Sequence, residues 1–123
     1  MKKNLLIFLL YMQASMAGVA AVNDSNFEAE VLNSPVPVVV KCFTTWCSSC
    51  QDLAPVFTET SRMLSQYKFV ELNTVPNAKT RKRYNIRLVP MILLFVNGEE
   101  VFRTTSILKR DRLVAVIKQY LQQ

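Results

Sequence analysis

The chain has 123 residues, half of them hydrophobic, with 15 Lys+Arg against 9 Asp+Glu, three cysteines and no histidine. That length supports one compact domain and leaves no room for a second. Four Cys or His ligands cannot be gathered within one copy, so neither a structural zinc site nor a four-cysteine iron–sulfur cluster fits, although Cys42, Cys47 and Cys50 share the opening spacing of the latter.

The first seventeen residues read as a secretory leader: basic Lys2 and Lys3, an apolar run from Leu5 to Met12, then small residues ending in Ser15-Met16-Ala17. Cleavage after Ala17 leaves 106 residues. The alternative is an uncleaved anchor, because Leu5 to Val22 is nearly continuous and about the minimum length to cross a bilayer; Gln13 and Ser15 weaken it. Without Lys2 and Lys3 the balance is 13 cations against 9 acids. Much of the excess lies in Lys79, Arg81, Lys82 and Arg83, with Arg87 close by. No aromatic-rich motif accompanies them, so a solvated helix surface is expected rather than a nucleic-acid face.

Ala20 to Val22 is a short apolar run. Ser25-Asn26-Phe27-Glu28 has the spacing of a capping box for a short helix reaching Leu32. Asn33-Ser34-Pro35 is a turn, Pro37 fits only near a strand's beginning, and Val38 to Phe43 reads as a buried strand. Leu53, Val56, Phe57, Met63 and Leu64 recur at helical spacing, with Pro55 expected to bend the helix. Phe69 to Leu72 is the next strand, and Pro76-Asn77 opens a basic helix ending near Tyr84. Met91 to Val96 and Glu100 to Thr104 flank Asn97-Gly98, a strong two-residue hairpin signal. A final helix carries Leu113, Val116, Ile117 and Tyr120 on one face. The order β-α-β-α-β-α-β-β-α predicts an α/β fold, a central mixed sheet with helices on both faces.

Trp46-Cys47-Ser48-Ser49-Cys50 sits where the buried strand hands over to the long helix. Two thiols at this spacing close and reopen a small disulfide. At a helix N-terminus unpaired N–H groups and the helix dipole favour a thiolate, which makes Cys47 the nucleophile. Cys50, one turn further in, is placed to resolve a mixed disulfide. Export puts the pair in an oxidising compartment, where a partner must keep it reduced or it must serve as an oxidant.

With these residues in view the chain resembles the thioredoxin family over Val19 to Gln123. The resemblance rests on Trp46-Cys47-x-x-Cys50, Ala54-Pro55, Tyr84-Asn85-Ile86-Arg87, Val89-Pro90 and Leu93-Leu94-Phe95-Val96-Asn97-Gly98-Glu99. It implies the thioredoxin fold, Cys47 as the attacking and Cys50 as the resolving thiol, and a cis Val89-Pro90 peptide beside them. The Val89 backbone would pair with an extended substrate.

Four positions depart from the family pattern. Ser48-Ser49 replaces Gly-Pro, and a serine hydroxyl donating to the Cys47 sulfur would make the couple more oxidising; the alternative is a plain helix-start dipeptide, given serine's capping preference. Lys41 stands where the family carries a buried acid and Glu71 where it carries a lysine, so the two are expected to pair behind Cys50, with Glu71 accepting its proton; the alternative is a snorkelling Lys41 and a surface Glu71. Cys42 is expected to be a small buried hydrophobe rather than a regulatory thiol. Ser106 replaces a glycine before the last helix. Trp46 is expected to flank the site as a lid rather than fill the core.

The resulting expectation is an exported, monomeric thiol–disulfide oxidoreductase acting on protein thiols and disulfides. It needs no cofactor or metal, binds no nucleic acid, and exchanges electrons with a membrane-linked redox partner. Its rival is a redox-inactive module with a static disulfide and a basic docking face.

Overall fold

The computed structural model describes residues 18–105 and 109–122. Five strands, β1 (Val19–Val22), β2 (Val38–Phe43), β3 (Lys68–Asn73), β4 (Met91–Val96) and β5 (Glu99–Thr104), form one sheet in the order β1-β3-β2-β4-β5. β1, β3 and β2 run parallel, and β4 and β5 continue antiparallel. The helices are α1 (Glu28–Leu32), α2 (Ser48–Met63), α3 (Ala78–Arg83) and α4 (Arg110–Leu121). The element order is the one expected, and Val19–Val22 belongs to the sheet. The proposed cleavage point and the rest of a possible anchor lie outside the described residues, and no described helix is long and apolar enough to cross a membrane.

The period of two along the strands builds two cores. Val38, Val40 and Cys42 join Val70, Leu72, Leu93 and Phe95 on one face, beneath Phe27 and Val31 of the α1 region and Ile86. Val39, Phe69, Ile92 and Leu94 occupy the other, beneath Leu53 and Phe57 of α2 and Leu113 and Ile117 of α4. Both faces of β2 and β4 are therefore covered, which is why these strands read as continuous apolar runs.

Several local expectations change. The capping box lies two residues earlier: the Asn23 side chain accepts from the Ser25 and Asn26 N–H groups, and the Asn26 side chain accepts from the Asn23 N–H at 2.7 Å. An asparagine at both ends satisfies the same orphan donors that serine and glutamate would. α1 itself is a wide turn closed from Asn33 N–H to the Glu28 carbonyl at 2.9 Å. Met63, the last residue of α2, is half-exposed, and Leu64 at the helix C-cap enters the core instead. In α4 the buried stripe is Leu113, Ile117 and Leu121, with Val116 only partly covered. α2 continues through Pro55, which lies on its exposed side.

The β4–β5 turn has φ of 52° at Asn97 and 80° at Gly98, the positive pair that a two-residue hairpin turn demands. A Cβ on Gly98 would also stand 2.8 Å from the Leu32 carbonyl oxygen. Gly98→Ala therefore combines backbone strain with a backbone clash and is expected to lower stability by about 2 kcal/mol, read as a reduced urea midpoint.

Candidate active site

The site lies where β2 ends and α2 begins, at the carboxyl end of the parallel strands. Cys47 has extended backbone (φ −122°, ψ 106°) and is the N-cap of α2. Its sulfur therefore takes the place of a capping oxygen and accepts the Cys50 N–H at 3.1 Å. The Ser49 hydroxyl lies 3.5 Å from the same sulfur, while Ser48 makes no such contact among the bonds described. Cys47 and Cys50 are joined as a disulfide with Cα atoms 5.2 Å apart. Cys47 is partly exposed, whereas Cys50 is 4% exposed. The two sulfurs are thus unequal by burial: a substrate can reach the first and not the second.

Lys41 and Glu71 are cross-strand neighbours in the β2–β3 register. The Lys41 ammonium lies 3.2 Å from the Glu71 carboxylate, on the sheet face that α2 covers. The lysine side chain is 6% exposed and that of Glu71 33%. The rings of Phe43 and Phe57 stand 5.5 and 5.3 Å from the ammonium and supply attraction without hydrogen bonds. The snorkelling alternative is excluded by this burial. The aromatic cradle left no recognisable sequence signal, because Phe57 reaches Lys41 only once α2 is laid on the sheet.

Cys42 is fully buried on the opposite face of the sheet from α2. Burial pushes its thiol up to about 12, with Arg103 pulling weakly the other way. It is a hydrophobe in a core and not a reactive group.

Trp46 is 95% exposed, which overturns the core alternative and leaves the indole free beside Cys47. The Val89-Pro90 peptide is cis, as the resemblance implied. Met91 pairs with Cys42, so Pro90 and Val89 lie just past the end of β2, on the same rim as Cys47. Val89 is partly covered and Pro90 buried, while Leu88 before them is 62% exposed, a rim residue the sequence did not mark. Thr74 closes the rim from the β3 side, its N–H donating to the Phe43 carbonyl at 3.0 Å. Ser106 lies outside the described residues.

Known proteins resemble this chain in sequence and fold. The thioredoxin family model matches residues 18–119. A thioredoxin from Synechocystis is 33% identical over 107 residues, covering 86% of this chain and all of the relative. One from Rickettsia prowazekii is 42% identical over 80 residues, covering 64% of this chain and 76% of the relative. Among solved structures, a mutant thioredoxin from Halobacterium salinarum superposes with a TM-score of 0.80 over 89% of this chain and 96% of that one; at 24% identity this speaks to the fold. The redox-inactive alternative is overturned, since relatives matched along their full length are thioredoxins and the cysteine pair stands at bonding distance. The match runs from before β1 into the last turns of α4, and on that ground the chain belongs to the thioredoxin family, as a thiol–disulfide oxidoreductase that works through Cys47 and Cys50.

Proposed function

We propose that the protein exchanges disulfides with extracytoplasmic protein substrates, with Cys47 attacking and Cys50 resolving. The Cys47 thiolate attacks one sulfur of a substrate disulfide, forming a mixed disulfide and releasing the other substrate sulfur as a thiolate. Cys50 then loses its proton and attacks the Cys47 sulfur. The Cys47–Cys50 disulfide forms, the second substrate thiolate leaves, and two electrons have passed to the substrate. Run backwards, the same steps donate a disulfide.

The capped Cys47 sulfur carries this reading. The Cys50 N–H at 3.1 Å and the Ser49 hydroxyl at 3.5 Å both point donors at the atom that bears the negative charge when the pair is reduced. Hydrogen bonds to a charged acceptor are worth about 1.5–3 kcal/mol each, which favours the dithiol form and raises the potential. Glu71 accepts the Cys50 proton through water, since it is the open member of its pair, and the buried Lys41 ammonium holds it in place. Trp46 packs on the substrate, and the Val89 backbone with Pro90 guides it. The leader-like first seventeen residues support export, and a membrane-linked redox partner would reset the couple.

A redox titration of the Cys47/Cys50 couple tests the direction of exchange. The expected potential is at least about 30 mV above the roughly −270 mV of thioredoxin, one strong hydrogen bond's worth of stabilisation. A value at or below that of thioredoxin would make the protein a reductase and remove the role given to Ser49.

A further inference from the structure

Between Glu71 and Glu99 the chain carries five cations, Lys79, Arg81, Lys82, Arg83 and Arg87, and no acidic residue. Among the described residues Lys41, Lys68, Arg103 and Arg110 each meet a carboxylate at ion-pair distance. None of these five does. Lys79 stands three and four residues before Lys82 and Arg83, a spacing at which like charges weaken a short helix. α3 is instead held from outside by Asp24, whose carboxylate accepts the Lys79 and Thr80 N–H groups at 3.2 and 2.8 Å and the Thr80 hydroxyl at 2.7 Å. The positive charge is therefore not matched by acids within this segment; its local contacts are the Arg83 guanidinium over the Tyr84 ring at 5.4 Å and the attraction of Lys79 to the Asp24 carboxylate.

Its position gives it a use. The segment runs through Arg87 and Leu88 directly into Val89-Pro90, on the rim where a substrate must meet Cys47. Lys79, Lys82, Arg83 and Arg87 are exposed, and the Arg87 guanidinium is steered by the Asn85 side-chain oxygen at 2.8 Å. Tyr84, the aromatic residue within the basic run, is partly buried against Phe27 and Phe95 with ring centroids 5.4 Å from each, and the Arg83 guanidinium lies over its ring at 5.4 Å, so it is no open stacking platform for a base. That favours carboxylates over nucleic acid as the complement.

We infer that this face docks an acidic, extended protein segment and delivers its disulfide to Cys47, with carboxylates beside the reacting cysteine meeting Arg87, Arg83 and Lys82. The inference deepens the exchange reading and rests on it.

The test uses three peptides of equal length, each with one internal disulfide and flanks that are acidic, neutral or basic. Their reduction by the dithiol form of the full chain is followed through Trp46 fluorescence. At an ionic strength of roughly 0.02 M the acidic peptide is expected to react about tenfold faster than the neutral one, and the basic peptide more slowly still. At about 0.5 M the spread should shrink to under twofold. The triple change Lys82→Glu, Arg83→Glu and Arg87→Glu should invert the order, and the milder triple alanine variant should flatten it. One common rate for all three peptides, a preference that ignores salt, or stronger competition by a DNA oligomer than by an acidic peptide of equal charge would overturn the docking inference and leave exchange intact. No reaction with any peptide would sink the exchange reading itself, and this inference with it.

Discussion

Replacing Cys50 by serine is expected to halt the enzyme half-way, with substrate held on Cys47 as a stable mixed disulfide. Cys47 is partly exposed at the head of α2 and Cys50 is buried one turn below, so an incoming disulfide meets the first sulfur alone. With no second thiol, release depends on external thiols. Turnover with a protein disulfide should fall about a thousandfold or more, while a single turnover still liberates one substrate thiol. Cys47→Ser should abolish both events and form no adduct. Non-reducing electrophoresis separates the two outcomes. A Cys47→Ser variant that still forms mixed disulfides through Cys50 would reverse the assignment.

The second large effect concerns the buried pair. Glu71→Gln leaves the Lys41 ammonium, 6% exposed, facing a neutral amide at what was a 3.2 Å ion pair. A buried charge stripped of its partner is costly, but Glu71 is a third exposed and water can enter, so the loss should be about 1–3 kcal/mol. The double variant with Lys41→Met should recover most of it, because charge and partner leave together. Chemistry and stability then part company. If Glu71 takes the Cys50 proton, release from the mixed disulfide in Glu71→Gln should slow by roughly tenfold to a hundredfold near pH 6.5. It should climb with pH as Cys50 ionises unaided, and approach the wild-type rate near pH 9. The double variant should regain stability without regaining release. An unchanged pH profile in Glu71→Gln would leave the pair with a purely structural role.

What could be read from the sequence, and what could not, follows from the range of the forces involved. Short-range patterns were legible: the apolar runs of β2 and β4, the Asn97-Gly98 turn and the cysteine pair at a strand-to-helix junction all act within a few residues. The Lys41–Glu71 pair was legible only through the family resemblance, since the parallel register that brings the two together is a tertiary fact. Ser25-Asn26-Phe27-Glu28 matched a capping box in letters, yet Asn23 and Asn26 took the work because the chain leaves β1 one residue before Asn23. Asp24 capping α3 from across the fold, Phe57 laid over Lys41, and Met63 turned outward depend on how the helices dock. No local periodicity encodes these. Cys42 illustrates the same limit, for its thiol gives no sign in sequence of lying on the face of the sheet opposite the reactive pair.

The account stands on the ionisation of Cys47, and its alkylation rate against pH measures that directly in the reduced protein. Iodoacetamide labelling located by peptide mapping should show Cys47 reacting half-maximally at or below about pH 7, at least a unit under an ordinary thiol. Cys42, whose thiol burial raises to about 12, serves as the internal control and should remain unlabelled through pH 9. A Cys47 that titrates near 8.5 would contradict the account, since the capping N–H and the Ser49 hydroxyl would then confer no preference for the thiolate.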